Sequence, residues 1–124
     1  MTNVNSSSNP ILFPKKSPTI SSGKLTTKIV IKNDYIRSDG NCALYLQLFL
    51  NGERKRLNLN IYVPEEAFDK NKMRIKKAYK GSSDLNLIIE KILADVNQIE
   101  VMYRLSESEL TIDIIAKELK SPTS

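Results

Sequence analysis

The feature that most constrains this chain is the dipeptide Asn51-Gly52, which stands between two runs in which apolar and polar residues alternate. Asparagine and glycine both tolerate the positive φ angles of a type I′ turn, so this pair is the strongest short-range signal for a β-hairpin. The first run covers residues 42–50 and the second covers residues 54–63. The pattern therefore predicts two antiparallel strands joined by a two-residue turn.

The alternation also predicts how these two strands pair. On the apolar face, a two-residue turn sets Leu46 against Leu57, Leu44 against Leu59 and Cys42 against Ile61. On the other face it sets Phe49 against Arg54, Gln47 against Arg56 and Tyr45 against Asn58. A slip of one residue would place leucines against asparagine and arginine, so the hydrophobic pattern specifies this register strongly.

Further elements are predicted on both sides of the hairpin. Upstream, an alternation that begins at Leu25 and places Ile29 and Ile31 on one face predicts a third strand. Downstream, Pro64 ends the hairpin because proline donates no ladder hydrogen bond. Residues 65–68 are expected to form one short helical turn that docks Phe68, and a basic loop follows over residues 69–81.

The C-terminal part shows helical periodicity. Ser82 or Ser83 is expected to cap a long helix that ends at Leu105. Its apolar stripe, spaced by three or four residues, consists of Leu85, Ile88, Ile92, Val96, Ile99 and Tyr103, and it is widened by Ile89, Leu93 and Met102. Thr111 is expected to cap a short last helix that contains Ile112, Ile115, Ala116 and Leu119. The predicted fold class is α+β, a three-stranded antiparallel sheet packed on one long C-terminal helix and followed by a short helix.

A chain of 124 residues is ordinarily one folding unit. Residues 1–24 are rich in Ser, Asn and Pro and show no periodicity, so they are expected to form a disordered N-terminal arm. Residues 25–105 are expected to hold the sheet and the long helix. Residues 106–124 are expected to form the short helix and a tail that leads toward a domain absent from this chain.

Composition excludes most catalytic chemistry. The sequence contains no histidine and only one cysteine, Cys42, which argues against zinc fingers, Cys/His nucleophiles and Ser-His-Asp triads. The four glycines are isolated, so no glycine-rich phosphate loop is present. The only dense acidic group of the middle region, Glu65, Glu66 and Asp69, is expected to be solvated or capping rather than catalytic. We expect a protein that is not an enzyme, with no metal, no cofactor and no small-molecule substrate.

Location is also constrained by composition. No apolar run approaches the length needed to span a bilayer, and the N-terminus shows no secretion signal. A lone cysteine fits a reducing compartment. We therefore expect a cytoplasmic protein that has no membrane partner.

The net charge of +5 is unevenly distributed. Counting Lys and Arg against Asp and Glu gives 3 − 0 = +3 for residues 1–24, 12 − 6 = +6 for residues 25–81, and 4 − 8 = −4 for residues 82–124. Concentrated lysine and arginine favour a polyanionic partner, because they release counterions from phosphate. A surface that simply keeps the protein soluble is the alternative.

One face of the sheet is left open if the helix covers the other. The residues expected on the open face are Lys28, Lys32, Tyr45, Gln47, Phe49, Arg54, Arg56, Asn58, Asn60 and Tyr62. Arg, Asn and Gln match base edges in the major groove, which a β-ribbon is narrow enough to enter. The basic loop is expected to hold phosphates through Lys70, Lys72, Arg74, Lys76, Lys77 and Lys80, and Lys76 and Lys77 are counted among the candidate DNA-binding residues. An ordinary polar sheet surface remains an alternative, as does stacking of Tyr and Phe on single-stranded nucleic acid or RNA.

The chain also resembles a known family. The run LYLQLFLNGERKR from Leu44 to Arg56, the strand to Val63-Pro64, the pair Phe68-Asp69 and the helix start at Asp84-Leu85-Asn86 resemble the N-terminal arm-binding domain of tyrosine recombinases in Bacteroides-type conjugative transposons and prophages. The resemblance covers residues 25 to about 119. It implies a three-stranded sheet laid into the major groove of double-stranded arm sites that flank an attachment core. The groove-facing positions it implies are Tyr45, Gln47, Arg54, Arg56 and Asn58.

The resemblance therefore implies sequence-specific binding of double-stranded DNA by a non-catalytic module of an integrase, in support of DNA integration and recombination. An alternative is a protein-interaction module, in which the acidic C-terminal helices contact other recombinase subunits. Such a module would leave apolar residues such as Ile89, Leu93 or Ile115 exposed.

Overall fold

The computed structural model describes residues 23–120. Three antiparallel strands form a sheet in the order β1, β2, β3, and they span Thr26–Lys32, Cys42–Leu50 and Glu53–Val63. Helix α1 covers Ser82–Leu105 and helix α2 covers Ile112–Lys120. The predicted α+β class is confirmed. The predicted disordered arm, residues 1–24, lies outside the described residues except for its last two positions.

The hairpin turn forms as predicted. Asn51 and Gly52 have φ angles of 53° and 80°, and these two positive values define the type I′ geometry. Near the turn the register is also as predicted, with Leu46 opposite Leu57 and Gln47 opposite Arg56.

Farther from the turn, the predicted register is wrong. The expected pairs Leu44 with Leu59 and Cys42 with Ile61 do not form, because the register shifts between Ala43 and Tyr45 and Cys42 lies opposite Val63. Asn60 has a φ of 59°, and its backbone N–H donates to Oδ1 of Asn58 at 2.7 Å, which forms a local turn within β3. This bulge adds two residues to one strand. The inward and outward alternation therefore survives, and Ile61 and Val63 remain buried.

A small second sheet follows the hairpin. A 3-10 helix covers Glu65–Ala67, and Phe68 is buried directly after it, as predicted. Strands β4, Phe68–Asp69, and β5, Arg74–Ile75, then pair antiparallel. The turn between them carries Met73 to the edge of β1, where its Sδ accepts the backbone N–H of Ile29 at 3.4 Å. The otherwise open edge of β1 is thereby partly covered.

Helix α1 begins differently from the prediction. Gly81, with a φ of 83°, occupies the N-cap position, and no side chain caps the helix. Ser82 is the first helical residue, and its hydroxyl lies 3.3 Å from the carbonyl oxygen of Lys77, to which it donates. The predicted cap at Ser82 or Ser83 is therefore wrong, because the left-handed glycine turns the chain into the helix one residue earlier.

The buried stripe of α1 is centred on Ile89 and Val96, both of which pack in the core. Leu85, Ile92, Leu93, Ile99 and Tyr103 are partly buried against that core. Ile88, which was predicted on the stripe, is 46% exposed, and Met102 is also exposed. The core-facing side of the helix is therefore rotated away from both residues.

Helix α2 completes the same core. Oγ1 of Thr111 accepts the backbone N–H of Ile114 at 3.1 Å, which confirms the predicted cap. Ile112, Ile115 and Ala116 are buried, and α2 contacts α1, β2 and β3. The helix thus packs against the unit formed by the sheet and α1.

Candidate nucleic-acid interface

Strand pairing arranges the outward side chains of the sheet in rows that run across all three strands. The four rows are Thr26, Phe49 and Arg54; Lys28, Gln47 and Arg56; Val30, Tyr45 and Asn58; and Lys32, Ala43 and Tyr62. Nine of the candidate residues from the sequence thus lie together on one face. Asn60 is the tenth candidate of the sheet, and it lies in the bulge of β3 beside this face.

The row of Lys28, Gln47 and Arg56 is the most polar of the four. Nε of Arg56 donates to Oε1 of Gln47 at 2.9 Å, so the two side chains are held as a pair. Because the glutamine oxygen is the acceptor, the terminal guanidinium nitrogens and the glutamine NH₂ group remain as donors. This row therefore presents mainly hydrogen-bond donors and positive charge.

The outward face carries cations without carboxylates. Its strand positions include Lys28, Lys32, Arg54 and Arg56, and none of the outward positions in the three described strands is Asp or Glu. Lys32 contacts Asp34 at 3.2 Å, but that carboxylate belongs to the turn that follows β1. One sign of charge on a single face produces a positive potential that attracts a polyanion.

The aromatic side chains of this face differ in exposure. Phe49 is 45% exposed, whereas Tyr45 and Tyr62 are half-buried. The guanidinium of Arg37 lies over the ring of Tyr62, 4.1 Å from its centroid, and occupies one side of that ring. Phe49 therefore offers the most accessible aromatic surface of the sheet.

Asn58 has a structural task in addition to its outward position. Its Oδ1 accepts the N–H of Asn60, and its Nδ2 lies 3.5 Å from Oη of Tyr62. The carboxamide oxygen thus maintains the bulge, and the NH₂ group donates one N–H to Tyr62 and retains a second. Alternation alone did not reveal this role.

The basic loop divides into paired and open cations. Nε and Nη2 of Arg74 donate to one oxygen of Glu90 at 2.9 and 2.6 Å, and Nζ of Lys70 lies 3.2 Å from Glu65. Lys76 and Lys77 are exposed, and neither forms an ion pair within residues 23–120. Of the predicted phosphate contacts, the structure thus leaves Lys76 and Lys77 available, whereas Arg74 is paired with α1 and Lys70 with Glu65.

Comparison with known proteins identifies the type of domain. Residues 29–116 match the family described as the arm DNA-binding domain, which is more than half of the chain. The chain belongs to this family. Arm DNA-binding domains are the domain type of tyrosine recombinase N-termini, and they are non-catalytic. Because the family is a DNA-binding one, DNA is the partner of this domain. Searches of curated proteins and of solved structures gave no match.

The acidic group of this arm DNA-binding domain is engaged in local structure. The backbone N–H groups of Lys72 and Asn71 donate to Oδ1 of Asp69, each at 3.0 Å, and lower the pKa of Asp69. A hydrogen bond from Asn33, at 2.8 Å, and a second from Lys70 lower the pKa of Glu65. Both carboxylates therefore stay ionised at neutral pH and hold the turns around the basic loop.

Two further observations concern this arm DNA-binding domain. Across residues 23–120, no cluster of three or more His, Cys, Asp or Glu residues has a geometry suited to holding a metal ion. Neither described helix is both long enough and apolar enough to cross a membrane.

Proposed function

We propose that this domain recognises specific double-stranded arm sites by laying the outward face of its sheet into the major groove, as a module of a site-specific tyrosine recombinase. The observation that carries the proposal is the row of Lys28, Gln47 and Arg56, which joins cationic charge to fixed hydrogen-bond donors on a face without carboxylates. In this role the domain supports DNA integration and recombination, which take place in the cytoplasm. A separate catalytic domain cuts and rejoins the strands.

The dimensions of the sheet support major-groove binding. Neighbouring strands lie about 4.8 Å apart, so three strands span about 10 Å. The major groove of B-DNA is about 12 Å wide. The rows of side chains run across the strands, so several outward residues reach the floor of the groove together.

Within this proposal, Arg56 and Gln47 read base edges. Their free groups are donors, and guanine presents two acceptors, N7 and O6, in the major groove. We therefore expect a preference for guanine where this pair contacts the site. The NH₂ group of Asn58 adds a donor in the neighbouring row, and Phe49 supplies apolar contact suited to a thymine methyl group.

The remaining cations position the domain on the duplex. Lys28, Lys32 and Arg54 flank Gln47 and Arg56 on the sheet, and Lys76 and Lys77 lie exposed in the basic loop. Their contacts to phosphate fix orientation and supply affinity that depends on salt but not on sequence.

Two alternatives receive less support. Single-stranded nucleic acid is normally bound by stacking successive bases on aromatic side chains, and here only Phe49 has a widely exposed ring among the aromatic residues of the outward face. A protein-interaction module was expected to expose Ile89, Leu93 or Ile115, yet Ile89 and Ile115 are buried and Leu93 is half-buried. Other apolar residues of α1, such as Leu87 and Leu105, are exposed, so an interaction surface on α1 accompanies DNA binding rather than replacing it.

The proposal is tested by selecting binding sites from a random duplex library and measuring Kd by fluorescence anisotropy. Arg56→Ala is expected to weaken binding to the selected site by about 1 to 3 kcal/mol and to affect a scrambled duplex much less. Lys77→Ala should weaken binding to both duplexes alike and reduce the salt slope by about 0.9. Lys117→Ala, on the exposed side of α2, is the matched charge control and should leave both affinities unchanged.

Equal losses on the selected and scrambled duplexes for both Arg56→Ala and Lys77→Ala would contradict the assignment of roles. Stronger binding to either separated strand, or to RNA of the same sequence, would move the function to single-stranded nucleic acid.

A further inference from the structure

Helix α1 has a second apolar face that is not part of the core. Five of its large apolar side chains are between 45% and 81% exposed: Leu87, Ile88, Val101, Met102 and Leu105. At 3.6 residues per turn they fall within one sector of the helix, on the side opposite Ile89 and Val96. A surface helix normally places charged or polar residues on that side. This sector of α1 is called the outer stripe. It consists of these five residues and of Lys91, Ala94, Asp95 and Gln98, which lie between them.

The outer stripe has apolar ends and a polar centre. Leu87 and Ile88 lie near the N-terminus of α1, and Val101, Met102 and Leu105 lie near its C-terminus. Between them lie Lys91, Ala94, Asp95 and Gln98. Nζ of Lys91 contacts both oxygens of Asp95, at 2.9 and 2.8 Å, one helical turn along the chain.

We propose that the outer stripe binds a second copy of this chain, with the two α1 helices antiparallel about a two-fold axis near Ala94 and Asp95. In this arrangement the N-terminal apolar end of each helix meets the C-terminal apolar end of the other. Leu87 then lies opposite the partner's Met102, and Ile88 lies opposite the partner's Val101.

Charge selects this orientation. The antiparallel pair brings each Lys91 within one helical turn of the partner's Asp95, so opposite charges meet twice across the axis. A parallel pair would bring Lys91 against Lys91 and Asp95 against Asp95, where like charges repel. Ala94, which lies next to the axis, is small enough to let the two backbones approach closely.

The geometry has a consequence for DNA that rests on the proposed function. One edge of the outer stripe, at Lys91, Asp95, Gln98 and Met102, borders Glu118 and Leu119 of α2, and the rest faces away from the core. Pairing through it therefore leaves the outward face of each sheet free. The two sheets then point away from each other. Such a dimer holds two separate duplex segments rather than two adjacent sites on one groove.

The self-association itself is tested without DNA, so its failure would leave the proposed function untouched. Sedimentation equilibrium of the 124-residue chain, at concentrations up to about 1 mM, should show a monomer–dimer equilibrium, because a contact limited to one helix face is small and weak. Lys91→Glu alone and Asp95→Lys alone should each weaken dimerisation by about tenfold or more, since each creates like-charge contacts across the axis.

Mixing these two variants provides the decisive readout. A Lys91→Glu chain paired with an Asp95→Lys chain restores both opposite-charge contacts, so the mixture should dimerise although neither variant does so alone. Both variants lose the same contact within the helix, and circular dichroism checks that both remain folded. A mixture that stays monomeric would overturn the proposal.

Cross-linking tests the orientation. In the antiparallel pair, the two copies of residue 94 lie close together, whereas the two copies of residue 83 are about 34 Å apart along the helices. A short bifunctional thiol reagent should therefore cross-link Ala94→Cys but not the matched variant Ser83→Cys; Cys42 is buried and does not compete. Cross-linking of both variants would indicate a parallel pair, and an entirely monomeric chain at about 1 mM would exclude the interface.

Discussion

The side-chain amide of Asn86 forms hydrogen bonds with both backbone polar groups of Ile75. Oδ1 of Asn86 accepts the Ile75 N–H at 2.8 Å, and Nδ2 donates to the Ile75 carbonyl oxygen at 3.0 Å. The asparagine thus acts as a strand partner for β5 and fixes it to the first turns of α1. Both residues lie outside the outward face of the sheet, so this contact affects stability separately from DNA binding.

Replacing Asn86 with alanine should lower the free energy of unfolding by about 2 to 3 kcal/mol, because two hydrogen bonds are lost and two partly buried backbone groups lose their partner. Asn97→Ala, at an exposed position of the same helix, is the matched control and should change stability by less than about 0.5 kcal/mol. Urea denaturation followed by circular dichroism measures both. Equal stability of the two variants would show that the Asn86 contact contributes little.

The bulge in β3 predicts a dependence on residue type at Asn60. Its φ of 59° lies in the left-handed region, so Asn60→Ala should destabilise the fold by about 1 kcal/mol, whereas Asn60→Gly should stay within about 0.5 kcal/mol of the original chain. Chemical denaturation of the two variants provides the comparison. If alanine were tolerated as well as glycine, the register shift would not depend on this backbone conformation.

Arg56→Lys separates the contribution of charge from that of hydrogen-bond geometry at Arg56, which is proposed to contact base edges together with Gln47. Lysine keeps the positive charge but lacks the planar fork that makes two hydrogen bonds to one base. Affinity for the selected duplex should fall by about 1 to 3 kcal/mol while the salt slope stays unchanged. Anisotropy titrations at several salt concentrations measure both quantities. A variant that retained full specificity would show that Arg56 contributes only its charge.

Arg74 and Lys76 should behave differently although both belong to the basic loop. Arg74 contacts Glu90 and the Met73 carbonyl, so Arg74→Ala should lower stability by about 1 kcal/mol and leave the salt slope of DNA binding unchanged. Lys76→Ala should leave stability unchanged and reduce the slope by about 0.9. Thermal denaturation and anisotropy on the same samples test the pair. Reversed behaviour of the two variants would place Arg74 at the DNA.

Stability in acid should depend on Asp69. Hydrogen bonds from the Lys72 and Asn71 backbone lower the pKa of its carboxyl in the folded chain. The stability that these bonds contribute is therefore fully present above the unfolded pKa, about 3.9, and is lost as the pH falls through the lower folded value. Asp69→Asn should flatten the dependence of the urea midpoint on pH below about 4. Above about pH 5 the two curves should run parallel, which is the internal control.

Much of the fold is predictable because its strongest signals are local. Asn51-Gly52 determines the turn, the alternation on either side sets the faces, and the register near the turn follows from both. The outward residues could be predicted for the same reason, because successive side chains along a strand point to opposite faces of the sheet. The helix cap at Thr111 could also be predicted, because its hydroxyl bonds a backbone N–H only three residues along the chain.

The features that sequence did not reveal depend on contacts between distant segments or on backbone choices that side-chain type leaves open. The register shift at Asn60 amounts to two residues, so the alternation of inward and outward side chains continues unchanged. No hydrophobic residue moves to the outward face, and the sequence pattern therefore does not reveal the shift. Arg74 looks like its basic neighbours until Glu90 is placed beside it. Ile88 fits the helical spacing as well as Ile89 does, and only the direction from which the sheet packs on α1 distinguishes the two.

The bulge between Asn58 and Tyr62 also determines which changes in length β3 tolerates. An insertion of two residues leaves every later side chain on its original face, whereas an insertion of one, paired as regular strand, would turn Ile61 and Val63 toward water and Tyr62 into the core. Related chains should therefore align here with gaps of even length.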